Sequence, residues 1–189
     1  MNKTALLIVD IQNDFCPGGA LPVPDGDKIV PVVNMLIACA QGENWPIFAS
    51  RDWHPQNHIS FKEQGGQWPA HCLQSTKGAE LHPDLKLPQN KFTLISKGTE
   101  QNKDSYSTFG GTDLEQQLRR HGITKLLICG LALDYCVKAS ALDAKKLEFE
   151  VIVFENATRA VNVSSNDGLY AKVEMWNNEI KIMNFPEFN

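Results

Sequence analysis

The sequence predicts a three-layer, doubly wound α/β fold with about six mostly parallel strands and helices on both faces. Three observations carry this expectation. Short apolar runs rich in β-branched residues recur along the chain, each run ends at a polar residue or glycine, and longer stretches of helical periodicity alternate with them. A chain of 189 residues suits one well-filled core better than two, and no repeat or linker marks a second unit. Residues 1–189 are therefore expected to form a single domain.

The first strand is expected over Ala5–Asp10 and the first helix over Ile29–Gln41, where Pro31 fits only a first turn. Ile47–Arg51 reads as the second strand. The next stretch, from about 52 to 90, is too long for a simple connection and gathers His54, His58 and His71 with Trp53 and Trp68; long irregular segments in compact domains are usually functional. Phe92–Lys97 is the third strand. Asp113–His121 follows as a helix, with Thr112 as its N-cap and Gly122 just past its end. Lys125–Gly130 reads as a strand, Tyr135–Leu147 as a helix and Val151–Phe154 as a strand. In the last helix, Ser164–Asn177, Ser164 and Asp167 have capping-box spacing, and Glu179–Met183 is the weakest strand.

Composition narrows the function classes. The chain is 42% apolar and 21% charged, with no apolar run near the roughly 20 residues of a membrane span. A net charge of −4 without a basic stripe argues against nucleic acid and anionic bilayers, leaving a small molecule as the expected partner. The apolar run after Lys3 reaches only Val9, too short for a signal-peptide core, so a cytoplasmic location is expected. Five scattered cysteines do not make a disulfide framework; each is either packing filler or a working thiol.

In an open parallel sheet, ligands bind beyond the carboxyl ends of the strands. The first strand ends at Asp10, the second at Arg51-Asp52 and the third at Lys97, while the fourth leads through Gly130 to Tyr135-Cys136 at a helix start. Two carboxylates, an amine and a thiol thus converge on one edge. A helix N-terminus and a nearby cation favour thiolate, so Lys97 is expected to lower the Cys136 pKa and Asp10 to take its proton. The residues alone leave Cys136 open between a nucleophile and a buried packing thiol. Asp52 with His54 and His71, and His58 close by, form a ligand set for zinc, iron or manganese. His82 and His121 lack such neighbours and read as ordinary histidines.

The segments "LLIVDIQNDFCPGGAL", "SRDWHPQNHISF", "GGQWPAHC", "ISKGT" and "CGLALDYCVKAS" occur in the order of a known family. The chain resembles the nicotinamidase/pyrazinamidase group of the isochorismatase-like hydrolases. That resemblance implies Cys136 as nucleophile, Asp10 as base and acid, and Lys97 as the third member of a triad. It implies one divalent metal, zinc first and iron or manganese as alternatives, held by Asp52, His54 and His71, with His58 a fourth ligand or close neighbour. It further implies a cis peptide between Leu131 and Ala132, an oxyanion hole from the amides of Ala132 and Cys136, and a pocket of Phe15, Trp68, Tyr106 and Leu131. The implied reaction is hydrolysis of nicotinamide, and of pyrazinamide, through a cysteine thioester in NAD salvage; a homo-oligomer is compatible with it. Two rival readings are a metal-free superfamily member, which has no use for His54 and His71, and a non-catalytic metal-binding protein, which has none for an activated thiol beside a base.

Overall fold

The computed structural model describes residues 3–186. Six strands, β1 (Lys3–Val9), β2 (Ile47–Asp52), β3 (Thr93–Lys97), β4 (Ile123–Leu131), β5 (Glu150–Arg159) and β6 (Lys181–Met183), form one sheet in the order β3-β2-β1-β4-β5-β6. Every pairing is parallel. Leu6 of β1 lies between Ile47 of β2 and Leu127 of β4. Residues Ala5 to Val9 are fully buried, as a central strand covered on both faces requires.

Side chains alternate across a strand, so β1 sends Leu6 and Ile8 to one face and Ala5, Leu7 and Val9 to the other. The first face is covered by α1 (Val30–Gly42), which buries Val30, Val33, Leu36, Ile37 and Ala40 at helical spacing and carries Pro31 in its first turn. The second face is covered by α2 (Leu114–Arg120), α3 (Lys138–Lys146) and α4 (Asp167–Asn177), through Leu114 and Leu118, Ala141 and Ala144, and Met175. This is the expected three-layer arrangement. Strand order reverses between β1 and β4, which opens a crevice at their carboxyl ends.

Several elements differ from the sequence expectation. The helix expected from Tyr135 begins instead as a π-helical turn over Leu133–Val137, and α3 proper starts at Lys138. The cap of α4 is Asn166, at φ 80°, not Ser164; the capping-box geometry survives in part, because Asp167 Oδ2 accepts from the Ser164 amide at 2.7 Å. β5 runs five residues past Phe154, because an irregularity in its pairing, between Ile128↔Val153 and Gly130↔Thr158, absorbs the polar Glu155 and Asn156 and lets the strand resume. The segment between β2 and β3 has no α-helix, only short 3-10 turns, in line with the irregular loop expected there.

Candidate active site

The four strand ends do converge. Asp10 follows β1 directly, with a positive φ of 45° that a non-glycine residue adopts at a cost, and its carboxylate is wholly buried. Asp10 Oδ1 accepts from the Ser50 hydroxyl at 2.7 Å. Its Oδ2 lies 3.0 Å from Lys97 Nζ without a well-aligned hydrogen bond, which leaves a lone pair for an incoming proton. Lys97, at the end of β3, donates to Asp52 Oδ1 and, at 3.4 Å each, to Cys136 Sγ and the Ser105 carbonyl. One ammonium therefore touches both carboxylates and the thiol.

Charge follows from this packing. Burial would lower the Lys97 pKa, but Asp10 and Asp52 outweigh it and hold the ammonium well above its ordinary range. Burial would raise Asp52, but Lys97 and His54 keep it below the usual carboxylate range. At Asp10, burial wins over Lys97 and the pKa is raised. Burial also pushes the Cys136 thiol well up; Lys97 opposes this, and the carboxylates of Asp10 and Asp52 add to it. The sequence predicts that Lys97 and a helix N-terminus lower the Cys136 pKa; Lys97 does act in that direction, but burial and the two carboxylates outweigh it. Cys136 is buried among two carboxylates inside a π turn, which disfavours the charged form of its thiol.

Beside this cluster, Asp52, His54 and His71 each offer a ligand atom, all within 4.8 Å of one another. His54 Nδ1 is bonded to the Gly98 carbonyl at 2.9 Å, and His71 Nδ1 to the Pro69 carbonyl at 2.8 Å. With both Nδ1 atoms engaged by carbonyls, Nε2 is left for a ligand, the arrangement by which outer partners orient metal-binding imidazoles. His54 Nε2 is 3.6 Å from Asp52 Oδ2. Gly98, at φ 60°, lets the chain pass under His54: a Cβ there would lie 2.4 Å from His54 Cε1. His58 falls outside this group. Its ring stacks on His54 with centroids 4.1 Å apart, but Nδ1 is bonded to Ser60 Oγ and Nε2 to the Lys103 carbonyl, so neither nitrogen is left over.

A cavity opens onto Cys136 and onto the Asp52–His54–His71 group. Phe15, Trp68, Tyr106, Ala132 and Cys136 line it together with Asp52, His54 and His71. Trp68 Nε1 donates to the Tyr106 hydroxyl at 3.0 Å, and Tyr135 meets both rings edge-on, at 5.1 and 5.2 Å. The Leu131-Ala132 peptide is cis. Leu131 is not a wall of the cavity: its side chain is fully buried in the core beneath the first face, against Gly26.

Sequence reasoning missed the residues that hold these groups in place. Gln12 is fully buried; its side-chain amide donates to the Asp52 and Ala79 carbonyls and accepts from the Asp52 amide. Asp134 accepts from the backbone amides of Val161 and Asn162 at 2.9 and 2.8 Å, which ties the Cys136 turn to Val161, a further cavity residue. Asp14 Oδ2 accepts from the Cys72 amide at 2.7 Å and so anchors the chain just after His71. Their only trace in the sequence is a polar residue one or two places from a candidate site residue.

Residues 4–180 match the family model described as the isochorismatase domain. The chain belongs to the isochorismatase family. Within it, the nicotinamidase of Escherichia coli (strain K12) is 43% identical over 196 residues, an alignment covering 93% of this chain and 92% of that protein. The crystal structure of the pyrazinamidase of Pyrococcus horikoshii in complex with zinc superposes with a TM-score of 0.92 at 49% identity, covering 97% of this chain and 99% of the other. Yeast nicotinamidase bound to the inhibitor nicotinaldehyde gives a TM-score of 0.89 at 27% identity, covering 96% and 99%. This isochorismatase-family chain thus aligns over more than nine-tenths of its length with proteins named nicotinamidase and pyrazinamidase.

Proposed function

We propose that the protein is a nicotinamidase: a metal-dependent cysteine amidohydrolase that converts nicotinamide to nicotinate and ammonia, accepts pyrazinamide, and serves NAD salvage as a single domain in the cytoplasm. The observation that carries this reading is Lys97, whose one ammonium joins Asp10 and Cys136 to Asp52 and so sets a nucleophile and base beside an Asp–His–His group in one cavity. Among the described residues no helix is long and apolar enough to cross a membrane.

Asp52, His54 and His71 would hold the ion, whose hard and borderline donor set suits zinc, iron or manganese. When bound, it supplies a Lewis acid for the ring nitrogen of the substrate. Trp68, Phe15 and Tyr106 flank the flat ring. Asp10 takes the Cys136 proton as the sulfur attacks the carboxamide carbon, a transfer that its raised pKa favours and the raised thiol pKa makes necessary. The amides of Ala132 and Cys136 receive the oxyanion; such donors contribute about 3–4 kcal/mol each. Asp10 then returns the proton to the departing ammonia and activates the water that cleaves the thioester. Lys97 stays charged throughout and keeps the two carboxylates from repelling each other.

Ammonia release from nicotinamide tests the reading. The wild type loaded with zinc should turn over, Cys136→Ala should not while retaining metal, and chelated wild type should lose nicotinamide hydrolysis yet keep Cys136 reactive to a small alkylating agent. Full activity in chelator would remove the metal from the mechanism. Substantial activity in Cys136→Ala would remove the thiol.

A further inference from the structure

Helix α4 is apolar on two sides. Its inward side buries Gly168, Ala171 and Met175. Its outward side presents Leu169, Val173 and Trp176, at i, i+4 and i+7, with Tyr170 beside them and Val163 on the segment leading in. These are five of the eight exposed large apolar side chains among the described residues, and their exposures are 52% for Leu169, 65% for Tyr170, 46% for Val173, 73% for Trp176 and 65% for Val163. Each thus keeps about half or more of its surface open to solvent in the single chain. The charges that flank the stripe are drawn aside into ion pairs within the chain, Lys172 to Glu155 at 2.6 Å and Glu174 to Lys138 at 3.0 Å.

We propose that this face of α4 is the interface between two copies of the chain, paired across a twofold axis with the α4 stripes antiparallel. An apolar stripe bordered on both sides by neutralised charge is complementary to itself, which is the requirement of an isologous contact, and its paired borders give no like-charge repulsion across the axis. Area supports the same occupant. Tyr and Trp side chains offer about 150–250 Å² each, so their exposed parts with those of the three aliphatic residues come to roughly 500 Å² per copy. Two copies would bury about 1,000 Å² through these five residues alone, the threshold of a specific interface, before any flanking polar residue is counted. Tyr and Trp are the residues that dominate such contacts. None of the five residues lines the cavity that holds Cys136, so association should leave turnover in place.

Sedimentation velocity of the purified chain at micromolar concentration should show a particle of twice the chain mass, and Trp176→Glu should shift it to the monomer, weakening association at least tenfold with nicotinamide hydrolysis unchanged. A Val173→Cys chain, otherwise wild type, should form a disulfide-linked pair under mild oxidation, whether or not Trp176→Glu folds. A wild type that stays monomeric at about 100 μM, a dimer that survives Trp176→Glu, or a Val173→Cys chain that gives no linked pair would each overturn the proposal; the first would leave the stripe to a different protein.

Discussion

At Lys97 a wholly buried ammonium contacts Asp10, Asp52 and Cys136 together, and the protonation of every neighbour depends on it. The histidines beside it respond to burial in opposite ways. Burial would lower the His54 pKa, but the Asp52 carboxylate and the Gly98 carbonyl outweigh it and the pKa is raised above 6.5; His71 is lowered by burial. A metal needs both rings neutral, so in the metal-free protein a proton on His54 competes with the ion from above the ordinary imidazole range. The affinity should be greatest above the raised His54 pKa and fall as the pH drops through it, with proton uptake on metal release. Zinc titration calorimetry between about pH 8 and pH 6 measures this. A pH-independent affinity over that span would exclude His54 as a ligand. Asp10, Asp52 and Lys97 were legible as strand-end residues and Cys136 as the start of the helix after the fourth strand, because the fold rule for parallel sheets says where such residues meet. The direction of the Cys136 shift was not legible, since it depends on how deeply four groups are buried together, and periodicity carries no information on depth.

The element that carries Cys136 is a π turn joined by Asp134 to the chain at Val161 and Asn162, and Asn162 Oδ1 in turn accepts from the Gly168 amide in the first turn of α4. Asp134 is thus a positioning residue for a wall of the cavity. Asp134→Ala leaves two amides without their acceptor, and hydrogen bonds to a charged group are worth about 1.5–3 kcal/mol each. The KM for nicotinamide should rise roughly tenfold or more with a smaller change in kcat, since about 1.4 kcal/mol of lost binding suffices for that factor. Asp134→Asn, which keeps one acceptor oxygen, should recover part of the loss. Steady-state kinetics on the two variants decides it: an equal fall in kcat and kcat/KM with unchanged KM would place Asp134 in the chemistry instead. The sequence marked this stretch as helix because the i, i+3, i+4 pattern of a helix also fits one wider turn followed by α3. The cap of α4 was misplaced by two residues for a related reason: Asp167 does reach back to Ser164, but the chain turns left-handed at Asn166 before the helix begins.

Across the whole molecule, the sheet was the most legible part, because Ala5–Val9 of β1, Leu126–Leu131 of β4 and Val151–Phe154 of β5 are buried on both faces and so must read as apolar runs. What could not be read was the far end of β5, where polar residues are carried by a pairing irregularity, and the outward stripe of α4, whose apolar residues look like core until burial is known. The strand order itself has a consequence for how the chain acquires its shape. β1 precedes the other five strands along the chain and lies in the middle of the sheet, yet its partner on one side, β4, ends at Leu131. Until that residue has emerged, Ala5 to Val9 present one complete edge of unpaired amides and carbonyls flanked by bare apolar side chains. A fragment ending at residue 122, just before β4, should therefore lack cooperative unfolding and bind a hydrophobic dye, while the full chain unfolds in a single transition; a cooperatively folded fragment would contradict this. In a growing chain the same edge makes the nascent N-terminal two-thirds a client for chaperones, and folding waits on a contact between residues more than a hundred positions apart.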